Sequence, residues 1–556
     1  MCVPLTGTTC PQMEADLAAA TAGGADGVEL RLDYLHEWDE AAVRHLLEAA
    51  ARFPGEVIAT YRTAAEGGHC DESEATRVSR LEFVGLTEAV DYLDVEYETW
   101  RASANIRQKI GLVCDVDAAE TGRPRRRLIL SKHNFENTPF DLESTLSVLA
   151  REPAHVVKVA CKANSVVDAL RVLDALRTSA AIRPTIGLAM GEVGLMTRVL
   201  ARKLGAFLTF ASLDAGKESA PGQATLDDMR RLYRWDAIGP ATQVYGVIGC
   251  PVAHSMSPAI LNAAFGETAH DAVYLPFRVE PNYAAFAAFV DGCVARPWLG
   301  LRGCSVTIPH KQNLLRYVEQ RGGVVEPLAR RIGAANTLCI EPGGRDDGTD
   351  TRVSAYNTDY RGAMDALLAG LGRCGTGSPP VNSDRNDVGL RRDSAWRTGP
   401  TKLDGVSVAV LGAGGVSRAI VAGLRDCGCA VTIYNRTRER AEALAAEFGA
   451  EARPNDERAG HRADVVINCT SIGMWPNVDD APLPAEGLAH KPLVFDTVYN
   501  PIETRLLREA RDRGCPTVDG VAMFVGQAAA QFTLWTHRPA PTDLMREVLA
   551  RRLASR

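Results

Sequence analysis

What this sequence of 556 residues lacks narrows its chemistry first. No stretch approaches the roughly 20 consecutive apolar residues of a membrane-spanning helix. The N-terminus, MCVPLTGTTC, has no basic opening and no long apolar run, which argues against secretion. No block of Lys and Arg stands out, and a net charge of −7 with a pI near 6.0 points away from nucleic acid. The 14 cysteines show no paired metal-type spacing, and the one close pair, Cys427-Gly-Cys429, is not a C-x-x-C. Scattered through apolar runs, as at Cys161, Cys250 and Cys304, they read as reduced packing residues of a cytoplasmic protein. No short-period repeat is visible. Small molecules remain as the expected partners, with no metal, nucleic acid or membrane.

The composition, 46% hydrophobic and 24% charged, is that of an ordinary globular chain long enough for several domains. Up to about residue 235, eight short apolar runs (CVPLTG, GVELRLDYL, EVIATYR, YLDVEYE, RLILSKHNF, HVVKVAC, PTIGLAMG and AFLTFASL) alternate with amphipathic stretches such as AAVRHLLEAAARF. Strand–helix units of roughly 30 residues predict parallel strands with crossover helices. Eight of them suit a (β/α)8 TIM barrel, with an open doubly wound sheet as the rival. WDAIGPATQ, at 235–243, reads as a short linker to a second α/β region. Within that region, 374–401 is poor in apolar residues and reads as a disordered loop.

In HVVKVACK, residues 155–162, Lys158 sits inside an apolar, β-branched run, where an ammonium is costly unless paired or neutralised. Other predicted strands also carry polar residues in their later parts: Glu29 and Arg31, Arg62, and His133. In a barrel these ends converge on the face that holds active sites. Beside cations and apolar walls, the lysine is expected to be partly neutral and able to form a Schiff base with a ketone. A histidine suits the accompanying proton transfer, and arginines suit a substrate carboxylate. The plainer alternative is a lysine that reaches solvent from an edge strand and a histidine that caps a turn.

VELRLDYL, ATYRTAAEGG, LSKHNFENTP, HVVKVA, GLMTR and ESAPGQ, in that order, resemble type I 3-dehydroquinate dehydratase over about residues 1–235. The resemblance implies a Schiff-base Lys158, a catalytic His133, and Glu66 to orient that histidine. It implies substrate contacts at Glu29, Arg31, Arg62, Arg198, Ser219 and Gln223, with Arg198 as the carboxylate clamp. The reaction would be syn-dehydration of 3-dehydroquinate to 3-dehydroshikimate. The sequence starts almost at the first strand, so the extension that closes the barrel bottom in relatives is not expected here.

Further on, VSVAVLGAGGVSRAI reads as a strand, a turn (Gly412, Ala413, Gly414, Gly415) and a helix start that could receive a pyrophosphate. The next strand ends in Asn435-Arg436-Thr437. An NAD enzyme usually has a carboxylate there, whereas Arg436 and Arg440 suit a 2′-phosphate, which predicts NADP. Upstream lie three polar clusters, at 255–258, 307–311 and 357–359, each unremarkable alone. A serine before proline, for example, is often only a helix cap.

Taken in order, GCPVAHSMSPAILNAAF, GCSVTIPHK, IGAANTL, AYNTDYRGA, LGAGGVSRA, YNRT, INCTSIGM, FDTVYNP and DGVAMFVGQAA resemble shikimate dehydrogenase over about residues 243–540. This resemblance implies proton transfer by Lys311 and Asp359, and substrate contacts at Ser255, Ser257, Thr307, Asn336, Tyr499 and Gln527. It places Gly520 and Met523 near the nicotinamide, and Ser305 stands where many relatives have Asn. It also implies a substrate domain at 243–360 completed by 520–556, with an NADP-binding Rossmann domain at 361–519 between. Together the two resemblances imply a bifunctional shikimate-pathway enzyme with the domain order of plant-type fusions. The rivals are a second half that acts on quinate or 3-dehydroquinate, and a non-catalytic regulator that binds the same metabolites.

Overall fold

A computed structural model describes residues 1–114, 126–343, 351–373 and 403–554. The loop expected at 374–401 lies outside them. The first sheet has seven parallel strands in sequential order. They are β1 (Cys2–Leu5), β2 (Gly27–Arg31), β3 (Glu56–Thr60), β4 (Tyr92–Glu96), β5 (Arg127–Asn134), β6 (Val156–Lys162) and β7 (Thr185–Met190). The eighth predicted strand, AFLTFASL, forms no ladder. It still joins the sheet's two edges: Phe207 N–H donates to Thr185 O (2.8 Å), Cys2 N–H to Thr209 O (2.8 Å) and Ala211 N–H to Cys2 O (3.0 Å). Ser212 then pairs with Ala224 and Leu226 instead, which ends the register before a ladder develops.

Alternation of side chains divides the barrel interior into layers. Ile58, Tyr92, Ile129, Val156 and Ile186 cluster with Phe210 as an apolar plug. Two residues further along the same strands stand Thr60, Asp94, Ser131 and Lys158, all buried. One period-two pattern therefore sets an apolar floor and a polar layer above it.

The second sheet, in the order β11-β13-β12-β10-β8-β9, is mixed. Its strands are β8 (Gln243–Gly249), β9 (Ala272–Arg278), β10 (Leu301–Val306), β11 (Val324–Val325), β12 (Thr337–Glu341) and β13 (Arg352–Tyr356). β12 runs antiparallel to both of its neighbours. The third sheet is fully parallel, in the order β16-β15-β14-β17-β18-β19. It comprises β14 (Ser407–Leu411), β15 (Ala430–Tyr434), β16 (Glu451–Arg453), β17 (Val465–Asn468), β18 (Leu493–Asp496) and β19 (Thr517–Val518). This is the doubly wound order, whose switch point between β14 and β17 opens a ligand crevice.

Barrel and second sheet share one apolar core. On edge strand β9, Val273, Leu275 and Phe277 join the barrel-side cluster, while Ala272 and Tyr274 face the opposite layer. Arg296 pairs with Asp174 across the junction (2.9 Å), and buried Lys203 donates to Pro240 O and Thr242 O (2.8 Å each). The segment expected to be a linker is therefore held fast. Trp235–Ala237 makes a helical turn with Trp235 buried, and Gln243 already belongs to β8. No helix among the described residues is long and apolar enough to cross a membrane.

Helix Gly520–Thr536 leaves the third sheet and packs on the second. Gln531 Nε2 donates to Asn336 O (3.1 Å) and Thr337 Oγ1 (3.0 Å), and Trp535 Nε1 donates to Leu338 O (3.1 Å). Its crossing with helix Thr358–Arg373 depends on glycine: a Cβ on Gly362 would stand 2.8 Å from Met523 O and 3.0 Å from Gln527 N. Backbone atoms cannot yield as a flexible side chain would. Gly362→Ala is expected to cost about 1–3 kcal/mol through this overpacking, read as a lower unfolding midpoint in urea.

Candidate active sites

A cavity opens above the polar layer of the barrel. Glu29, Arg31, Arg62, Glu66, His133, Lys158, Arg198, Ser219 and Gln223 all line it, with Phe135, Leu188, Met190 and Phe210 as apolar walls. Lys158 Nζ lies 2.8 Å from Asp94 Oδ2, 3.5 Å from Glu29 Oε1 and 4.6 Å from the centre of the Phe210 ring. The expected surroundings of cations and apolar walls therefore need correcting: carboxylates stand nearest the amine. Asp94 also accepts from Arg62 Nη2 (2.8 Å) and Ser131 Oγ (2.6 Å). Burial works to raise the Asp94 carboxyl, but Arg62 and Lys158 prevail and hold it far below the carboxylate range.

Glu66 fixes His133 from two sides. Its Oε2 lies 2.9 Å from His133 Nδ1 and accepts the His133 backbone N–H at 3.0 Å. Burial pushes the Glu66 carboxyl up to about 7 against the opposing pull of Arg62. Burial, then Arg62 and Lys158, hold His133 well below the ordinary imidazole range, which leaves a neutral base. Arg31 is neutralised by Asp33 (3.0 and 2.8 Å). Arg198 is not: it is 1% exposed, its Nε and Nη1 have no hydrogen-bond partner, and burial lowers it to about 10. Ser219 and Gln223 hydrogen-bond each other at the cavity rim (2.9 and 3.1 Å).

Sequence reasoning missed Asp94, Glu96, Asp33 and Ser131. The signal was present in YLDVEYE, where Asp94 and Glu96 fall on the inward phase of Tyr92.

In the second region Lys311 Nζ donates to Asp359 Oδ2 at 2.6 Å, both side chains being largely buried. Lys311 opens helix Lys311–Gln320 just beyond β10, and Asp359 lies in the first turn of helix Thr358–Arg373 just beyond β13. Asn336 caps that second helix, its Oδ1 accepting from Thr358 N–H at 2.8 Å. Ser257 starts a helix after β8, its N–H donating to Ser255 Oγ (3.3 Å), and Thr307 follows β10 with its N–H on Ile248 O (2.9 Å). Gln527 lies against Gly362, one turn beyond Asp359, and Tyr499 stacks on Phe524 of the same returning helix (4.1 Å). Ser305 is taken up in the interior: Tyr274 Oη donates to its Oγ (2.6 Å), which donates to Gln531 Oε1 (2.7 Å).

The dinucleotide-type turn fits its expected ligand. Gly412 has φ +113°, closed to residues with a Cβ, and the Gly414 N–H donates to Ser417 Oγ (3.1 Å) at the start of helix Gly415–Asp426. Ala413 lies between them, and a Cβ on Gly415 would stand 3.2 Å from Lys311 Cδ, so the lysine reaches the turn. After β15, Asn435 Nδ2 donates to Thr437 O (2.8 Å). Arg436 and Arg440 are exposed and, among the described residues, without an ion pair. Two exposed cations beside a cradle of this form suit a 2′-phosphate. Gly520 begins the returning helix, and Met523 is buried in the apolar cluster of the third sheet.

Fold and sites together define a two-centre α/β enzyme: a barrel with a buried amine, and a dehydrogenase-type pair of domains. Residues 1–240 match type I 3-dehydroquinase, 247–338 the shikimate dehydrogenase substrate-binding domain, 395–474 shikimate/quinate 5-dehydrogenase and 520–550 the shikimate 5′-dehydrogenase C-terminal domain. The chloroplastic bifunctional 3-dehydroquinate dehydratase/shikimate dehydrogenase of Arabidopsis thaliana is 36% identical over 99% of this chain and 84% of its own. Shikimate dehydrogenases (NADP(+)) of Moorella thermoacetica and Symbiobacterium thermophilum are 37% and 40% identical over 56% and 55% of this chain, and 93% of each of theirs. The chain belongs to the bifunctional 3-dehydroquinate dehydratase/shikimate dehydrogenase family.

In protein labelled with 15N-histidine, the His133 ring is expected to reach half-protonation only below the ordinary imidazole midpoint of about 6.5. Half-protonation at or above that midpoint would contradict the burial argument.

Proposed function

We propose that Lys158 and His133 carry the dehydration of 3-dehydroquinate, and that Lys311 and Asp359 carry the NADPH-dependent reduction of 3-dehydroshikimate to shikimate. The observation that carries this reading is Arg198, a buried guanidinium that makes no ion pair among the described residues and lines the cavity that also holds Lys158 and His133. Such a charge is stable only when an anion arrives. A ketone bearing a carboxylate satisfies both Arg198 and the amine.

In the barrel, Lys158 adds to the ketone and loses water to give an iminium. His133, neutral and oriented by Glu66, takes the adjacent C–H proton, and the electron pair moves toward nitrogen. The electrons return as the hydroxyl departs with a proton from His133 as water, and hydrolysis frees the enone and Lys158. Glu29, Arg31, Arg62, Ser219 and Gln223 position the ring substituents. In the second site Lys311 donates a proton to the reduced carbonyl oxygen, and Asp359 orients the ammonium. Ser255, Ser257, Thr307, Asn336, Tyr499 and Gln527 would hold the substrate. The glycine turn 412–415 would hold the pyrophosphate, Asn435, Arg436, Thr437 and Arg440 the phosphorylated ribose, and Gly520 and Met523 the nicotinamide side. Bound NADPH supplies the hydride. We further read the protein as cytoplasmic, since its described cysteines are free and mostly buried.

With 3-dehydroquinate alone, the expected product is the ultraviolet-absorbing enone. Adding NADPH should convert it to shikimate with one NADPH consumed per enone. Absence of enone, or a higher kcat/KM on quinate than on shikimate in the reverse direction, would overturn the assignment. Arg198→Met is expected to raise KM for 3-dehydroquinate roughly 10- to 100-fold, as loss of a charged hydrogen bond does, while raising the unfolding midpoint because an uncompensated charge leaves the core. Lys311→Met should lower the reductase kcat by about 10²–10⁴ with dehydration unchanged.

A further inference from the structure

The proton-transfer scheme gives no part to Asp94, the carboxylate nearest the Lys158 amine. Asp94 projects from β4 into the polar layer with a fully buried side chain. Its Oδ1 accepts from Arg62 and Ser131, and its Oδ2 accepts from Lys158 Nζ at 2.8 Å. The neighbouring acids are engaged elsewhere or stand further off. Glu29 is 3.5 Å from Nζ and accepts the Thr60 hydroxyl at 2.7 Å. Glu66 holds His133, and Glu96 accepts from Arg77 at 2.7 Å. Resting on the reading of Lys158 as the imine-forming residue, we propose that Asp94 is the fixed counter-ion of the covalent nitrogen.

The chemistry changes the charge on that nitrogen repeatedly. Attack by the amine lone pair on the ketone carbon, uptake of a proton and loss of one water give a cationic iminium. Transfer of the C–H proton to His133 sends the C–H electron pair into the new C=C bond and the C=N π pair to nitrogen, which becomes neutral. When those electrons return and expel the hydroxyl, protonated by His133, the nitrogen is cationic again. Addition of water across C=N then breaks the C–N bond and releases enone, amine and the proton. The apolar floor beneath offers the nitrogen no counter-charge, so the nearest one is the carboxylate of Asp94. Arg62 remains positive throughout, 2.8 Å from the same carboxylate. Without Asp94, two cations would face each other at each iminium stage.

The test is Asp94→Asn in the full-length chain, an isosteric change that keeps acceptors for Arg62 and Ser131. Reduction of 3-dehydroshikimate by the same chain reports the integrity of the second half, and an unchanged far-ultraviolet circular dichroism spectrum that of the barrel. Wild-type protein treated with 3-dehydroquinate and borohydride should give a mass adduct on Lys158. In Asp94→Asn the trapped fraction and the dehydration kcat should both fall roughly 10²-fold, the scale of losing one preorganised electrostatic partner. KM should change by less than about threefold, because the residues proposed to clamp the carboxylate are untouched. Asp94→Ala with added formate provides a second measurement: dehydration should recover with formate and not with formamide. A wild-type adduct together with unimpaired trapping and kcat in Asp94→Asn, or a folded Asp94→Ala that formate does not rescue, overturns the proposal alone. A wild-type chain that gives no adduct removes the Schiff-base reading and this proposal with it.

Discussion

Lys158, Asp94 and Arg62 are three buried ionisable groups joined by hydrogen bonds through the Asp94 carboxylate. Buried charges persist only when balanced or hydrogen-bonded, and most of the barrel's polar layer follows that rule: Arg31 with Asp33, Arg77 with Glu96, Arg62 with Asp94. Arg198 breaks it. A buried guanidinium with Nε and Nη1 unpartnered favours a hydrogen-bond acceptor of negative charge. On the proposed reading, a substrate carboxylate would supply that acceptor.

The second centre obeys a different constraint, that of bringing two separately folded layers to one point. Lys311 and Asp359 meet because each lies just past the C-terminal end of a strand in the mixed sheet, at the start of a helix. The glycine turn of the parallel sheet comes within contact of the Lys311 side chain, so the proposed proton donor and the proposed dinucleotide cradle adjoin. The returning helix Gly520–Thr536 holds this geometry. It crosses Gly362 near Asp359 and reaches Asn336, Thr337 and Ser305 through Gln531. The residue at 305 has a physical account here: its hydroxyl is the middle of a buried relay between Tyr274 and Gln531.

The halves are joined by more than a peptide. The barrel covers edge strand β9, their apolar cores merge, and Lys203 binds the connecting carbonyls. An uncovered sheet edge is a hazard for pairing with other chains, and here the preceding domain removes it. Because the enone made by the barrel is the substrate of the second centre, this junction also sets consecutive catalysts side by side on a shared apolar core.

Much of this was legible in the residue order. The period-two pattern of VVKVAC placed Lys158 in a buried strand, the order of motifs set two α/β regions, and the glycine turn with Arg436 announced a phosphorylated ribose. Each of these signals is local, decided by residues a few positions apart through backbone geometry. The partners were not legible. Asp94 and Lys158 are 64 residues apart and meet only because closing the barrel brings β4 and β6 to either side of β5. The same closure replaced the expected eighth strand with isolated hydrogen bonds, since the segment's outward end pairs elsewhere. Residue types and periodicity fixed which groups would be buried. Tertiary structure alone decided which charges would face one another, because that depends on strand order and register across the sheet.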